Sequence, residues 1–305
     1  MQGLASSTRR VYLSAQRRYI SFCHQDGHMD ANGALLLADE RSLMRFATSL
    51  SDSLRHSSIK LYLIAARSLH IDQGLPYALV NCLKLQCLLR GEKGVQGSSP
   101  TKRIPINIDI LRVIQGSLDL KLRVHVMLWA ACCFGFFAFL RADEFTTSQP
   151  FDPSIHLTVS DVQADTLVNP TCFKIRIKYS KTDLFRMGHD IYVGRGSGSI
   201  CPVAAIGNFL ALRGAAPGPL FCCADGRPLS WQQLYSSVQS ILHSAGYPGS
   251  YSGRSFGIGA ATTAAARGVP DHLIIKTLGW WSSHAYQLCI RTPICSLTQI
   301  SCELA

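Results

Sequence analysis

The chain has 305 residues, 47% of them hydrophobic, enough for one large core or two modest ones. Thirty Lys plus Arg against nineteen Asp plus Glu leave a formal charge of +11, which favours a polyanionic partner such as nucleic acid. The twelve cysteines stand singly or as adjacent pairs (Cys132–Cys133, Cys222–Cys223), a spacing that argues against a disulfide framework and against a C-x-x-C zinc site. No metal or cofactor is therefore expected. Met1–Tyr12 is polar and basic rather than an apolar leader, so a reducing compartment, nuclear or cytosolic, is expected instead of secretion.

Ser6 and Ser7 can cap a first helix running to about Cys23, with Val11, Tyr12, Ala15, Tyr19, Phe22 and Cys23 as its apolar face. Arg10, Arg17 and Arg18 lie on other faces, either as a solvated surface or along a phosphate backbone. A second helix is predicted over Asp39–Leu50, facing inward with Leu43, Phe46, Ala47 and Leu50. A third spans Ser57–Ile71 with Ile59, Leu63, Ala66 and His70 on one side; Lys60 and Arg67, seven apart, share a face. A fourth follows Pro76 through Leu79, Val80, Leu83 and Cys87, with Cys82 and Cys87 expected as small core residues. Gly91–Pro105 gathers Gly, Ser, Pro and basic residues and reads as a linker after a four-helix domain at 1–90.

A second domain, 106–305, opens with a helix at Ile108–Gly116. Leu122–Leu140 follows, interrupted from Val124 onward only by His125; it falls short of the ~20 apolar residues of a membrane span and reads as a helix buried on all sides. Cys172–Tyr179 then alternates strictly, with Phe173, Ile175, Ile177 and Tyr179 on one face and Lys174, Arg176 and Lys178 on the other. A turn at Ser180–Asp183 and a second alternating run, His189–Val193, complete a β-hairpin or meander. Its three cations suit either phosphate contact or protection of a sheet edge by charge. Helices return at Pro202–Arg213, Ser230–Ala245, Gly259–Gly268 and Asp271–Leu278. The expected fold is mostly α with a small antiparallel β-sheet (α+β).

Arg141 follows the apolar run in FGFFAFLRADEF, with Glu144 three positions on and on the same helical face. Lys181 lies in the hairpin turn YSKTDLFR. Near the end stand SGRSFGIGAATTAAARG, LGWWSS and SSHAYQLCIRTP. Together these resemble the tyrosine recombinases, in the form carried by eukaryotic transposons, over about Ser7–Pro293. The resemblance implies a helical core-binding domain and a catalytic domain closing around double-stranded DNA. It also implies that members assemble as oligomers there, and that cleavage proceeds through a tyrosine nucleophile. On that basis Arg141 is the first catalytic arginine, Glu144 the acid that steadies it, Lys181 the proton donor, and Trp281 the residue packed on the scissile phosphate. The same pattern expects His, Arg and Tyr where this chain has Arg254, Gly257 and Cys289.

Arginine suits a phosphate because its planar fork binds two oxygens, and a lysine can protonate the leaving sugar oxygen. Gly257 removes one such clamp, and the thiol of Cys289 reaches several ångströms less far than a phenol. Tyr286, about one turn before Cys289, is the nearest substitute nucleophile. Three readings follow: a DNA-binding recombinase fold impaired in cleavage, an active enzyme using Tyr286 or Cys289, or a non-enzymatic helical interaction module.

Overall fold

The computed structural model describes residues 6–75, 77, 82–97, 103–180, 183, 187–277 and 290. The chain divides into two compact units, 1–100 and 101–305.

The first unit is a bundle of α1 (Ser6–Gln25), α2 (Glu40–Ser51), α3 (His56–Asp72) and α4 (Leu83–Gln96). Tyr19, Phe46, Leu50, Leu63 and Leu85 meet in its core, and the Tyr19 and Phe46 rings lie edge to face at 4.9 Å. Asp39 caps α2 by accepting the Ser42 N–H at 2.6 Å, which satisfies one of the helix's unpaired donors. The Gln16 side chain, buried in α1, donates to the Ala65 carbonyl of α3 at 3.2 Å and ties those helices together.

Three expectations need correction here. Val11 is exposed, because it lies about 80° around the α1 axis from Tyr19 and misses the buried stripe. Cys87 is exposed too, roughly 200° from the buried Leu85, whereas Cys82 is buried as expected. Gly91–Gln96 is helix rather than linker. Two glycines there cost about 1 kcal/mol each, yet the Gln96 side chain donates to Leu54 O at 3.0 Å and accepts from His56 N at 2.7 Å, anchoring the last turn to the α2–α3 connection.

The second unit contains α5 (Ile108–Gly116), α6 (Arg123–Phe137), α7 (Ala142–Phe145), β1 (Val162–Ala164), β2 (Cys172–Ile177), β3 (His189–Gly194), α8 (Pro202–Arg213), α9 (Trp231–Ser244), α10 (Ser255–Ala266) and α11 (Asp271–Thr277). Every residue of α6 from Val126 to Phe136 is buried, with α8 and α10 packed around it. Its first turn differs from expectation: Val124 is exposed, so burial begins only at Val126. After Phe137 the chain leaves the helix through Phe139, whose φ of 55° is a left-handed conformation that costs a non-glycine residue about 1 kcal/mol.

The sheet order is β1-β2-β3, all antiparallel, with Phe173 opposite Val193 and Ile175 opposite both Val162 and Ile191. Those side chains form the sheet's core face. β2 is thus the central strand, which overturns edge protection as the role of its cations. Among the described residues no helix is long and apolar enough to cross a membrane.

Candidate functional site

Arg141 sits where α6 has ended and the one-turn α7 begins. Glu144, third residue of α7, turns its carboxylate back on that start: Oε2 accepts the Arg141 N–H at 2.8 Å, and Oε1 meets the Arg141 guanidinium at 3.2 Å. Glu144 Oε1 also accepts the Ser180 hydroxyl at 2.9 Å. The Arg141 side chain keeps 24% of its surface in solvent, while that of Glu144 keeps 10%. A largely buried carboxylate so held fixes the guanidinium in place.

Ser180 belongs to the connection between β2 and β3, and Asp183 closes that connection. Its carboxylate accepts Met187 N–H at 3.1 Å and Gly188 N–H at 2.7 Å, while its own N–H donates to Ser180 O at 3.0 Å. His189, first residue of β3, lies in the field of Glu144 and Asp183. Burial lowers its pKa, and those carboxylates only partly oppose the shift.

The start of α10 meets the same turn. Ala142 N–H approaches Gly253 O at 3.4 Å, and a Cβ on Gly253 would stand 2.8 Å from that of Ala142, so only glycine permits the approach. Ser252 and Ser255 cap the helix reciprocally: Ser255 N–H donates to Ser252 O, and Ser252 N–H to Ser255 Oγ, both at 2.9 Å. This cap starts α10 at Ser255, four residues before the expected Gly259, and puts SGRSFG at the helix N-terminus. Arg254 is exposed at the cap position, and Gly257 lies half-buried in the first turn. A Cβ on Gly257 would meet only Phe139 O, at 3.7 Å, an ordinary van der Waals distance. One residue pair further, Gly259 lies hard against Ile106, whose carbonyl oxygen would be 1.9 Å from a Cβ.

The structure thus brings Arg141, Glu144, Arg254 and Gly257 into one region, next to Ser180. Lys181, Trp281, Tyr286 and Cys289 lie outside the described residues. The sequence did not single out Ser180, Asp183, His189 or Gly253. Ser180 had a local hint in its place beside Lys181, but its partner is 36 positions away and no local pattern reveals it.

The expected DNA-binding residues fall into two groups. On the first unit Arg10, Arg17 and Arg18 of α1 and Lys60 and Arg67 of α3 are all exposed. Arg18 donates to Ser53 Oγ at 2.9 Å. On the sheet, all three cations are ion-paired: Lys174 and Arg176 share Asp190 at 2.9 and 3.2 Å, and Lys178, one residue past the strand, pairs with Asp161 at 2.6 Å. Alternation placed these cations on one face, but their acidic partners come from β3 and from the turn before β1. Asp190 is correspondingly held below the usual carboxylate range, first by its hydrogen bond from Lys174.

Neither a sequence-family model nor any curated protein matches the chain. Solved structures do. XerH site-specific recombinase bound to its palindromic difH substrate matches with a TM-score of 0.63 at 18% identity, over 97% of this chain and 78% of that one. Lambda integrase (75–356), a dimer on a COC' core site, matches with a TM-score of 0.63 at 14% identity, over 95% and 90%. The chain has a tyrosine recombinase fold. A lambda integrase tetramer on a Holliday junction shares that fold with a TM-score of 0.59 at 12% identity, over 94% and 72%.

Proposed function

We propose that the chain is a duplex-DNA-binding protein of the site-specific recombination class whose strand cleavage is impaired. The observation that carries this reading is the cluster at the α10 N-terminus. Arg141 is fixed by Glu144, Arg254 stands exposed nearby, and Gly257, where a Cβ would meet only ordinary van der Waals distance, carries no side chain.

In this reading the Arg141 guanidinium grips a non-bridging phosphate oxygen. The positive end of α10 and Arg254 add charge from the other side. Ser180 holds the β2–β3 connection at Glu144, so that Lys181 can protonate the leaving sugar oxygen. The clamp lost at Gly257 is a fixed donor of the kind whose removal lowers rates by about 10²–10³. Cys289 in place of a tyrosine removes the long phenol that reaches the phosphorus. Several copies act together on DNA, as the lambda integrase dimer and tetramer do.

A nicked suicide duplex tests this directly, because a covalent protein–DNA adduct accumulates on it after one cleavage. The native chain is expected to bind duplex and form no adduct, whereas Gly257→Arg combined with Cys289→Tyr is expected to form one. An adduct on the native chain would overturn the impaired reading. Its loss in Tyr286→Phe or Cys289→Ala would then identify the nucleophile. Duplex affinity that does not fall with added salt would leave only a non-enzymatic interaction module.

A further inference from the structure

The outward side of α3 is unusual for a helix surface. Lys60, Ile64, Arg67 and Ile71 follow one another at intervals of four, three and four. At 100° per residue they occupy an arc of about 60°, along roughly 16 Å of axis. About 100° around the axis, Ile59, Leu63, Ala66 and His70 are buried in the bundle core. Ile64 and Ile71 expose 47% and 58% of their surface, and Lys60 and Arg67 are exposed beside them. Helix propensity does not explain two β-branched side chains on a solvated face, where Ala, Glu or Lys is favoured. α3 carries no acidic residue before Asp72, and neither Lys60 nor Arg67 has an ion-pair partner among the described residues. Alongside it packs α1, joined through Gln16 and Ala65, with Arg10 and Arg17 on its own exposed side.

We propose that this face enters the major groove of duplex DNA and that Ile64 and Ile71 select thymine by contact with its C5 methyl group. The inference rests on the DNA-binding reading above and adds the residues that give it a base preference. Charge complementarity decides the occupant. A second copy docking the same face on itself would set Lys60 and Arg67 against their own counterparts, which repel. Duplex DNA offers what the stripe asks for: phosphates for the cations on the groove walls, and thymine methyls, apolar groups on the groove floor, for the isoleucines. The groove, about 12 Å wide, admits one helix. Ile64 and Ile71 are about 10 Å apart along the axis, close to three base steps.

The test compares two mixed-sequence duplexes of roughly 30 base pairs, three helical turns. One contains thymine and the other uracil at every such position, so only the methyl groups differ. The full chain is expected to bind the thymine duplex about 3- to 10-fold more tightly. Ile64→Ala with Ile71→Ala should bind both duplexes equally, with an unchanged salt slope and unchanged helical circular dichroism. Lys60→Gln with Arg67→Gln should weaken binding to both and lower the salt slope by about two, while keeping the thymine preference. Equal affinity of the native chain for the two duplexes overturns the proposal, as does a preference that survives in the isoleucine variant. Failure of the native chain to bind either duplex overturns this inference together with the DNA-binding reading, whereas equal binding of the native chain to both overturns this inference alone.

Discussion

Glu144 accepts from three donors through two oxygens: the Arg141 N–H, the Arg141 guanidinium and the Ser180 hydroxyl. Glu144→Gln keeps the shape but turns one acceptor into a donor, facing either the arginine or the serine hydroxyl. It is expected to lower stability by about 1–3 kcal/mol in urea unfolding. Ser180→Ala removes one neutral donor to a charged acceptor and should cost about 1–2 kcal/mol. Because both act on the same carboxylate, the double variant should cost less than the sum, with a coupling above about 0.5 kcal/mol. Two glycines of α10 give a sharper contrast. Gly257→Ala meets only ordinary van der Waals distance and gains helix propensity, so it should be neutral or stabilise by up to about 1 kcal/mol. Gly259→Ala drives a methyl into the Ile106 carbonyl and should destabilise by about 1–3 kcal/mol or more, seen as a fall in the unfolding midpoint.

Capping decides where several elements begin, and one cap ties stability to pH. The Ser42 backbone N–H, followed by the Ser42 hydroxyl, holds the Asp39 carboxyl below the usual range. Its contribution to α2 is therefore complete above the unfolded carboxyl value of about 3.9 and is lost as pH falls through the lowered value. Asp39→Ala should cost about 1 kcal/mol at neutral pH and nothing in strong acid, measured by urea titration at several pH values. Elements with such punctuation were legible from the sequence alone. Ile108–Gly116 begins after the Asn107 cap, and Pro202–Arg213 begins on its proline; both have the bounds the sequence predicts. β1 was missed because Val162–Ala164 is too short to show alternation, and it is a strand only because β2 lies beside it. α4 was cut short because glycine reads as a breaker, whereas the bonds that hold Gln96 come from residues forty or more positions away. Arg141 and Glu144 were legible as a pair because they are three apart. The partners of Ser180 and of the sheet cations were not, since they are set by the fold.

At the scale of the whole chain, two cores lie on either side of residue 100, one around Tyr19, Phe46 and Leu85, the other around α6. Calorimetry of the full chain should resolve two unfolding transitions rather than one. Leu85→Ala should lower one of them and Phe134→Ala the other, each side chain being fully buried and worth about 2–5 kcal/mol when truncated. The polypeptide enters the second unit in an extended run that is stitched at once to the candidate site: Ile104 N–H donates to Ser250 O at 3.1 Å, and Ile106 N–H to Ser255 O at 3.0 Å. Ile106 is also the residue on which Gly259 rests. The seam at Ile104 and Ile106 makes the incoming strand a structural wall of the α10 N-terminus as well as a connection to it. A single residue inserted between Ile104 and Ile106 would shift the register of that wall and unseat the helix that carries Arg254.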